Sequence, residues 1–187
     1  MQAASWATVA VTLVLGVAGF AVARNIRRDV RLRLAERRLT AYERLWASMR
    51  PASGYEEPFP DQARQSMREV LTDWYYANGD GMLLERDSRA VFFEARDNLV
   101  RPIALLTPAA SRQRLERLTG NELERHRSVL AKRQLSLLRS QLRGDLAIFG
   151  RPYGPRLDEE DRAFLAHCGV NLSRRPWSSP SRTTWQA

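Results

Sequence analysis

The most constraining stretch lies at the start of the chain, where residues 3–23 (AASWATVAVTLVLGVAGFAVA) run through 21 side chains without a charge. A helix of that length is ~31 Å long, about the thickness of a bilayer's hydrocarbon core. No charged side chain precedes the run, whereas residues 24–38 hold seven arginines against Asp29 and Glu36, a local balance of +5. A secretory leader has a basic head and a shorter apolar stretch; only the triplet Ala21-Val22-Ala23 fits that pattern. Arginines directly behind an apolar run resist translocation. The expectation is a transmembrane anchor over residues 1–23, single-pass in the inner (cytoplasmic) membrane. Its N-terminus lies outside, with Trp6 near the outer interface, and its C-terminal domain lies in the cytoplasm.

Arg24, Arg27, Arg28 and Arg31 then meet anionic headgroups, where each arginine adds on the order of 1 kcal/mol of attraction before screening. The lipid bilayer is thus the first expected partner. Within the run, Ser5, Thr8, Thr12, Gly16, Gly19 and Ala23 recur at three- and four-residue steps, so one face is built of small residues. Such faces let membrane helices approach closely, which suggests a homodimer or contact with another membrane protein. Small residues are also simply tolerated in spans, and that reading stands beside the first. On a continuous helix, Ala23 and Leu32 differ by about half a turn beyond whole turns. The small face and the apolar stripe that follows would then point opposite ways.

About 160 residues follow, enough for one helical domain, residues 24–169. Positions 32, 35, 39, 42, 46 and 49 are Leu, Ala, Leu, Tyr, Trp and Met, the three-four alternation of a coiled-coil seam, with Leu34, Ala41 and Leu45 widening it. The anchor is therefore expected to continue as one helix to about Met49, ahead of Pro51. PASGYEEPFP reads as a loop. Asp61 is the expected cap of a second helix with Met67, Val70, Leu71 and Trp74 on its apolar face, stopped by NGDG at 78–81. Met82-Leu83-Leu84 reads as a short extended piece or a loop anchor. Ser88 is the expected cap of a third helix through Val91, Phe92, Ala95 and Leu99 that ends or kinks at Pro102.

Thr107-Pro108 reads as the start of a fourth helix, with a pause at 119–121 before a long leucine-bearing segment stopped near Gly150. Asp158 caps a last short helix, its acids at 159–161 complementing the dipole and Gly169 ending it. The polar, proline-containing stretch 170–187 is expected to be a disordered tail. No strand pattern recurs. The fold class read from the chain is all-α, an anchor helix running into a cytoplasmic helical bundle.

The formal charge is +9, and Lys132 is the one lysine among 30 basic residues, leaving 29 arginines. That skew suggests GC-rich coding. Acids are interleaved with the arginines, as in RQRLERLTGNELERHR, which marks a solvated helix face and argues against nucleic acid as a partner. Cys168 is the one cysteine, so no internal disulfide is available.

The segments YERLW at 42–46, DWYYANGDGMLL at 73–84, SRAVFF at 88–93 and LRSQLRGDL at 138–146 give the chain a further likeness. It resembles a group of uncharacterised bacterial, notably actinobacterial, single-pass membrane proteins. In that group a span precedes a Tyr-x-x-Leu-Trp helix, a Trp-Tyr-aromatic element with glycines, a Ser-Arg-x-x-aromatic helix start and a late Leu-Arg-x-x-Leu element. The likeness covers most of residues 24–150. It implies architecture and carries no activity.

Chemistry-bearing motifs are sparse. His167 and Cys168 are neighbours about 100° apart on a helix and cannot chelate one ion together. His126 lies among charges, with no partner nucleophile at a telling spacing. The acids at 158–161 lack calcium-loop spacing, and Arg143-Gly144-Asp145 reads as a chance tripeptide. No phosphate loop, zinc motif or nucleophile elbow is present. No cofactor, metal or catalytic residue is expected. The densest unusual feature is aromatic: Tyr42, Trp46, Trp74, Tyr75 and Phe92, with Tyr76 and Phe93 beside them, form either a packed core or a groove for a ligand. The expected function is a membrane-tethered interaction or scaffold module. The alternative is a sensor or ligand-binding module using an aromatic cleft.

Overall fold

The structure is a computed structural model. It describes residues 2–54, 58–146, 156–174 and 176–178, without the side chains of residues 2–19, 21 and 78. Among the described residues it is all-helical, with no strand. Six α-helices follow in order: α1 (Gln2–Ser48), α2 (Asp61–Tyr76), α3 (Arg86–Asn98), α4 (Ala109–Leu115), α5 (Gly120–Asp145) and α6 (Glu159–His167). The chain divides into two compact units, Met1–Thr40 and Ala41–Ala187.

Helix α1 is unbroken and continues to Ser48, as its periodicity predicts. Residues 20 and 22–40 are exposed apart from half-buried Arg38. No helix among the described residues is long and apolar enough to cross a membrane. The side chains of residues 2–19 and 21, most of those in the expected anchor over 1–23, lie outside the described residues.

The second unit holds the core. Ala41, Tyr42, Leu45 and Met49 are buried at the end of α1, and Met67, Leu71 and Trp74 present the buried face of α2. Val91, Phe92 and Ala95 on α3 meet Leu135, Leu138 and Leu142 on α5 in one cluster, closed by Phe164 and Leu165 of α6. Each fully buried side chain of this size contributes ~1.5–3 kcal/mol relative to exposure. Val70, expected on the apolar face of α2, is instead exposed.

Three helix starts differ from expectation. Asp61 does not cap α2: Pro60 is the N-cap, while the Asp61 carboxylate accepts from Arg64 at 3.2 Å and Gln65 at 2.8 Å. Glu85, not Ser88, is the N-cap of α3, since Ser88 is fully buried and bonds elsewhere. Pro108, not Thr107, is the N-cap of α4, and the Thr107 hydroxyl bonds Glu94 and Asn98. For Ser88 and Thr107 a partner distant in sequence takes the side-chain oxygen that a cap would have used, whereas Asp61 is taken by neighbours one turn on along α2.

Other ends behave as read. The expected pause at 119–121 separates α4 from α5, with Thr119 as the N-cap of α5, and Asp158, the expected cap of α6, forms a reciprocal capping box with Asp161. After α6, Gly169 adopts φ +72°; its N–H reaches Ala166 O at 2.9 Å while the Val170 N–H reaches Leu165 O at 3.0 Å. That pair of bonds is a Schellman stop, which needs the left-handed residue a glycine supplies. Helix α5 ends at Asp145, and Gly150 lies outside the described residues.

The expectation of disorder from residue 170 is corrected at the start of that stretch. Val170 and Trp177 are both 7% exposed and belong to the core. The Trp177 indole donates to Gln141 Oε1 at 2.6 Å, so one large ring and a satisfied polar tip outweigh the polar composition around them.

Candidate functional site

The predicted site residues separate into three groups. The side chains of Ser5, Thr8, Thr12, Gly16 and Gly19 lie outside the description, while Ala23 is exposed. Arg24, Arg27, Arg28 and Arg31 are all exposed along α1, as headgroup contacts would require.

The aromatic group is core for the most part. Phe92 is fully buried, Tyr42 is 2% exposed and Trp74 is 7% exposed. Tyr75 stacks on Phe92 with centroids 5.5 Å apart, and Trp74 tilts against the same ring at 5.6 Å. The Trp74 indole donates to Ala41 O at 3.0 Å, which fixes α2 against the end of α1. Trp46 stands apart, exposed, with the Arg143 guanidinium 5.8 Å from its ring centroid.

The structure also assembles a polar centre that the sequence reading passed over. Asp145 Oδ2 accepts from the Tyr42 hydroxyl at 2.9 Å and from Ser88 Oγ at 2.5 Å, and Oδ1 accepts from Gln141 Nε2 at 3.2 Å. Burial pushes the Asp145 carboxyl above its ordinary range; the Ser88 and Tyr42 hydrogen bonds oppose this, and Glu85 adds to it. A signal was present: Gln134, Leu138, Gln141 and Asp145 follow three-four spacing on α5, which places polar residues on a buried stripe.

A second centre joins α3 to the loop before α4. Glu94 bonds Thr107 and Arg101, and His167 Nε2 lies 3.7 Å from it. Asn98 donates to Thr107 O at 2.8 Å and to Gln134 Oε1 at 3.1 Å. The nearby Cys168 thiol is pushed up to about 12 by burial and then by Glu94, so it is held as the neutral thiol at physiological pH.

Arg133 organises the α5–α6 junction. Its Nε lies 2.7 Å from Asp161 Oδ1, it also bonds Asp158, and Glu160 lies 3.8 Å away. It lines two cavities, one of about 320 Å³ also bordered by Lys132, Arg139 and Arg156, and one of about 380 Å³ also bordered by Arg114, Arg125 and His126. The cations facing these spaces are interleaved with the acids of α6. Among the described residues no group of three His, Cys, Asp or Glu side chains is placed to hold a metal ion.

No family model, no curated protein and no solved structure matches the chain.

Proposed function

We propose that the chain is a single-pass membrane protein whose C-terminal unit serves as a protein-interaction or scaffold module at the inner face of the cytoplasmic membrane. The observation that carries this reading is a run of 21 uncharged residues with seven arginines directly behind it, on one helix without interruption. Lipid is the environment in which such a run loses least, and the arginines oppose carriage of the following chain across the bilayer. Exposed apolar side chains in the second unit, with Tyr76 72% and Met82 81% exposed, support a surface that meets other proteins. Tyr42, Trp74 and Phe92 are closed into the core, which favours this reading over a ligand cleft among those rings.

The test is topological. A fluorescent protein fused to the C-terminus, active only inside, is expected to light up, while alkaline phosphatase at the same position, active only outside, stays silent. The full chain remains in the membrane pellet after an alkaline carbonate wash. Phosphatase activity, release by the wash, or a mature chain beginning at Arg24 overturns the reading.

A further inference from the structure

We infer that the part of α1 just beyond the proposed span, residues 26–34, docks an acidic amphipathic helix belonging to a different protein. The inference rests on the membrane reading only in choosing a protein helix over lipid as the occupant. Val22, Ile26, Val30 and Leu34 follow at four-residue steps and are 57%, 57%, 59% and 47% exposed. A row of that spacing is the ridge that packs into the groove of a second helix. The described residues 20 and 22–40 contain no buried side chain, so the ridge is open along its whole length.

Charge selects the occupant. Arg27 and Arg31 form the neighbouring row on one side of the ridge, and Arg33 and Arg37, preceded by Asp29, continue the row on the other. A second copy of the chain would set these arginines against their own kind, which is destabilising at helix–helix flanks. A helix with leucine or isoleucine at i, i+4 and i+8, flanked by glutamates, meets both the apolar ridge and its borders.

Lipid is the competing occupant, because a basic helix with an apolar face can lie flat among headgroups. The backbone argues against that. Residues 20–48 contain neither proline nor glycine, and α1 is unbroken from Gln2 to Ser48. Sharp kinks need such residues, so a helix that crosses the bilayer up to Ala23 continues along its own axis, tilted by about 20° on average. At 1.5 Å per residue, residues 26–34 then stand ~5–17 Å beyond Ala23, past the acyl chains.

The experiment uses the full chain in nanodiscs of zwitterionic lipid and two synthetic helical peptides of about 20 residues, long enough to hold a helix. Both carry the same leucine ridge, one flanked by glutamate and the other by lysine. The glutamate peptide is expected to bind and the lysine peptide not. Ile26→Ser with Val30→Ser lowers the affinity roughly tenfold or more. Reversing Arg27, Arg31, Arg33 and Arg37 to glutamate transfers binding to the lysine peptide, a swap that misfolding does not produce. Equal binding of the two peptides, or binding indifferent to the serine pair, overturns the inference. So does efficient disulfide coupling between Val30→Cys copies, or a polarity-sensitive dye at Val30→Cys reporting acyl chains in anionic nanodiscs. Release of the chain by alkaline wash with peptide binding intact sinks the membrane reading alone; retention without peptide binding sinks the docking ridge alone.

Discussion

Tyr42 donates a 2.9 Å hydrogen bond to Asp145, joining the end of α1 to the end of α5 across 103 positions. Ser88 donates to the same oxygen at 2.5 Å, so three helices converge on one half-buried carboxylate. This centre holds the domain end of the long helix in place.

Asp145 is raised in the folded protein, chiefly by burial, so the native state binds its proton more tightly than the unfolded chain does. Its contribution to stability is complete below the ordinary aspartate value of about 3.9 and is lost as pH rises through the raised folded value. Asp145→Asn keeps an acceptor for Tyr42 and Ser88 and removes the charge. The stability of the variant relative to the parent should therefore grow as pH rises through that window and then level off. Urea unfolding at a series of pH values measures the difference; a flat profile rejects the assignment.

Arg64 and Glu124 respond unequally to truncation. Arg64 is 1% exposed and bonds Glu124 at 2.6 Å and Phe59 O at 2.9 Å, whereas the Glu124 side chain is 45% exposed. Removing Glu124 leaves a buried guanidinium short of its main counter-charge, and Glu124→Ala should cost about 3 kcal/mol. Arg64→Met leaves a carboxylate that water can reach, and should cost nearer 1 kcal/mol. Urea midpoints that reverse this order would contradict the account.

Gly144 is the contact point of the docked tail. A Cβ at this position would collide with the Pro176 ring and stand 3.2 Å from the Pro176 nitrogen. Gly144→Ala should displace Pro176 together with the buried Trp177 at a cost of about 1–3 kcal/mol. Brief trypsin treatment read by mass spectrometry should then show faster cleavage at Arg174 than in the parent. Unchanged cleavage would mean that the tail accommodates the methyl without moving.

Cys168 should be a slow thiol. With its proton held up to about 12, the thiolate is scarce at neutral pH. Ellman's reagent at pH 8 is expected to label the folded chain far more slowly than the urea-unfolded chain. Glu94→Gln removes the smaller of the two causes and should speed labelling modestly, leaving burial in control.

Some helix boundaries were legible because their signals are local. The Asp158 cap, the break at 119–121 and the Gly169 stop each depend on residues within one turn, and the structure bears out all three, adding a reciprocal box at Asp158 and Thr119 as the N-cap of α5. Asp61, Ser88 and Thr107 carry equally good capping chemistry, yet none caps its helix. Their oxygens serve Arg64, Asp145 and Glu94, partners that no local window reveals for Ser88 and Thr107. The aromatic residues had two readings open in the sequence. Burial of Tyr42, Trp74 and Phe92 depends on α1, α2 and α3 meeting, which spacing along one helix does not specify.

The sequence by itself determined that the chain is helical, where most of its helices break, and that an uncharged run stands ahead of an arginine cluster. These follow from periodicity, glycine and proline placement and net charge, which are properties of neighbouring residues. Only the tertiary structure decided that Asp145 is a shared acceptor, that Arg64 is interior, and that Trp177 packs into the core instead of trailing in solvent. Burial and hydrogen-bond satisfaction are set by residues tens of positions apart, and the competition among them is resolved only when the helices pack.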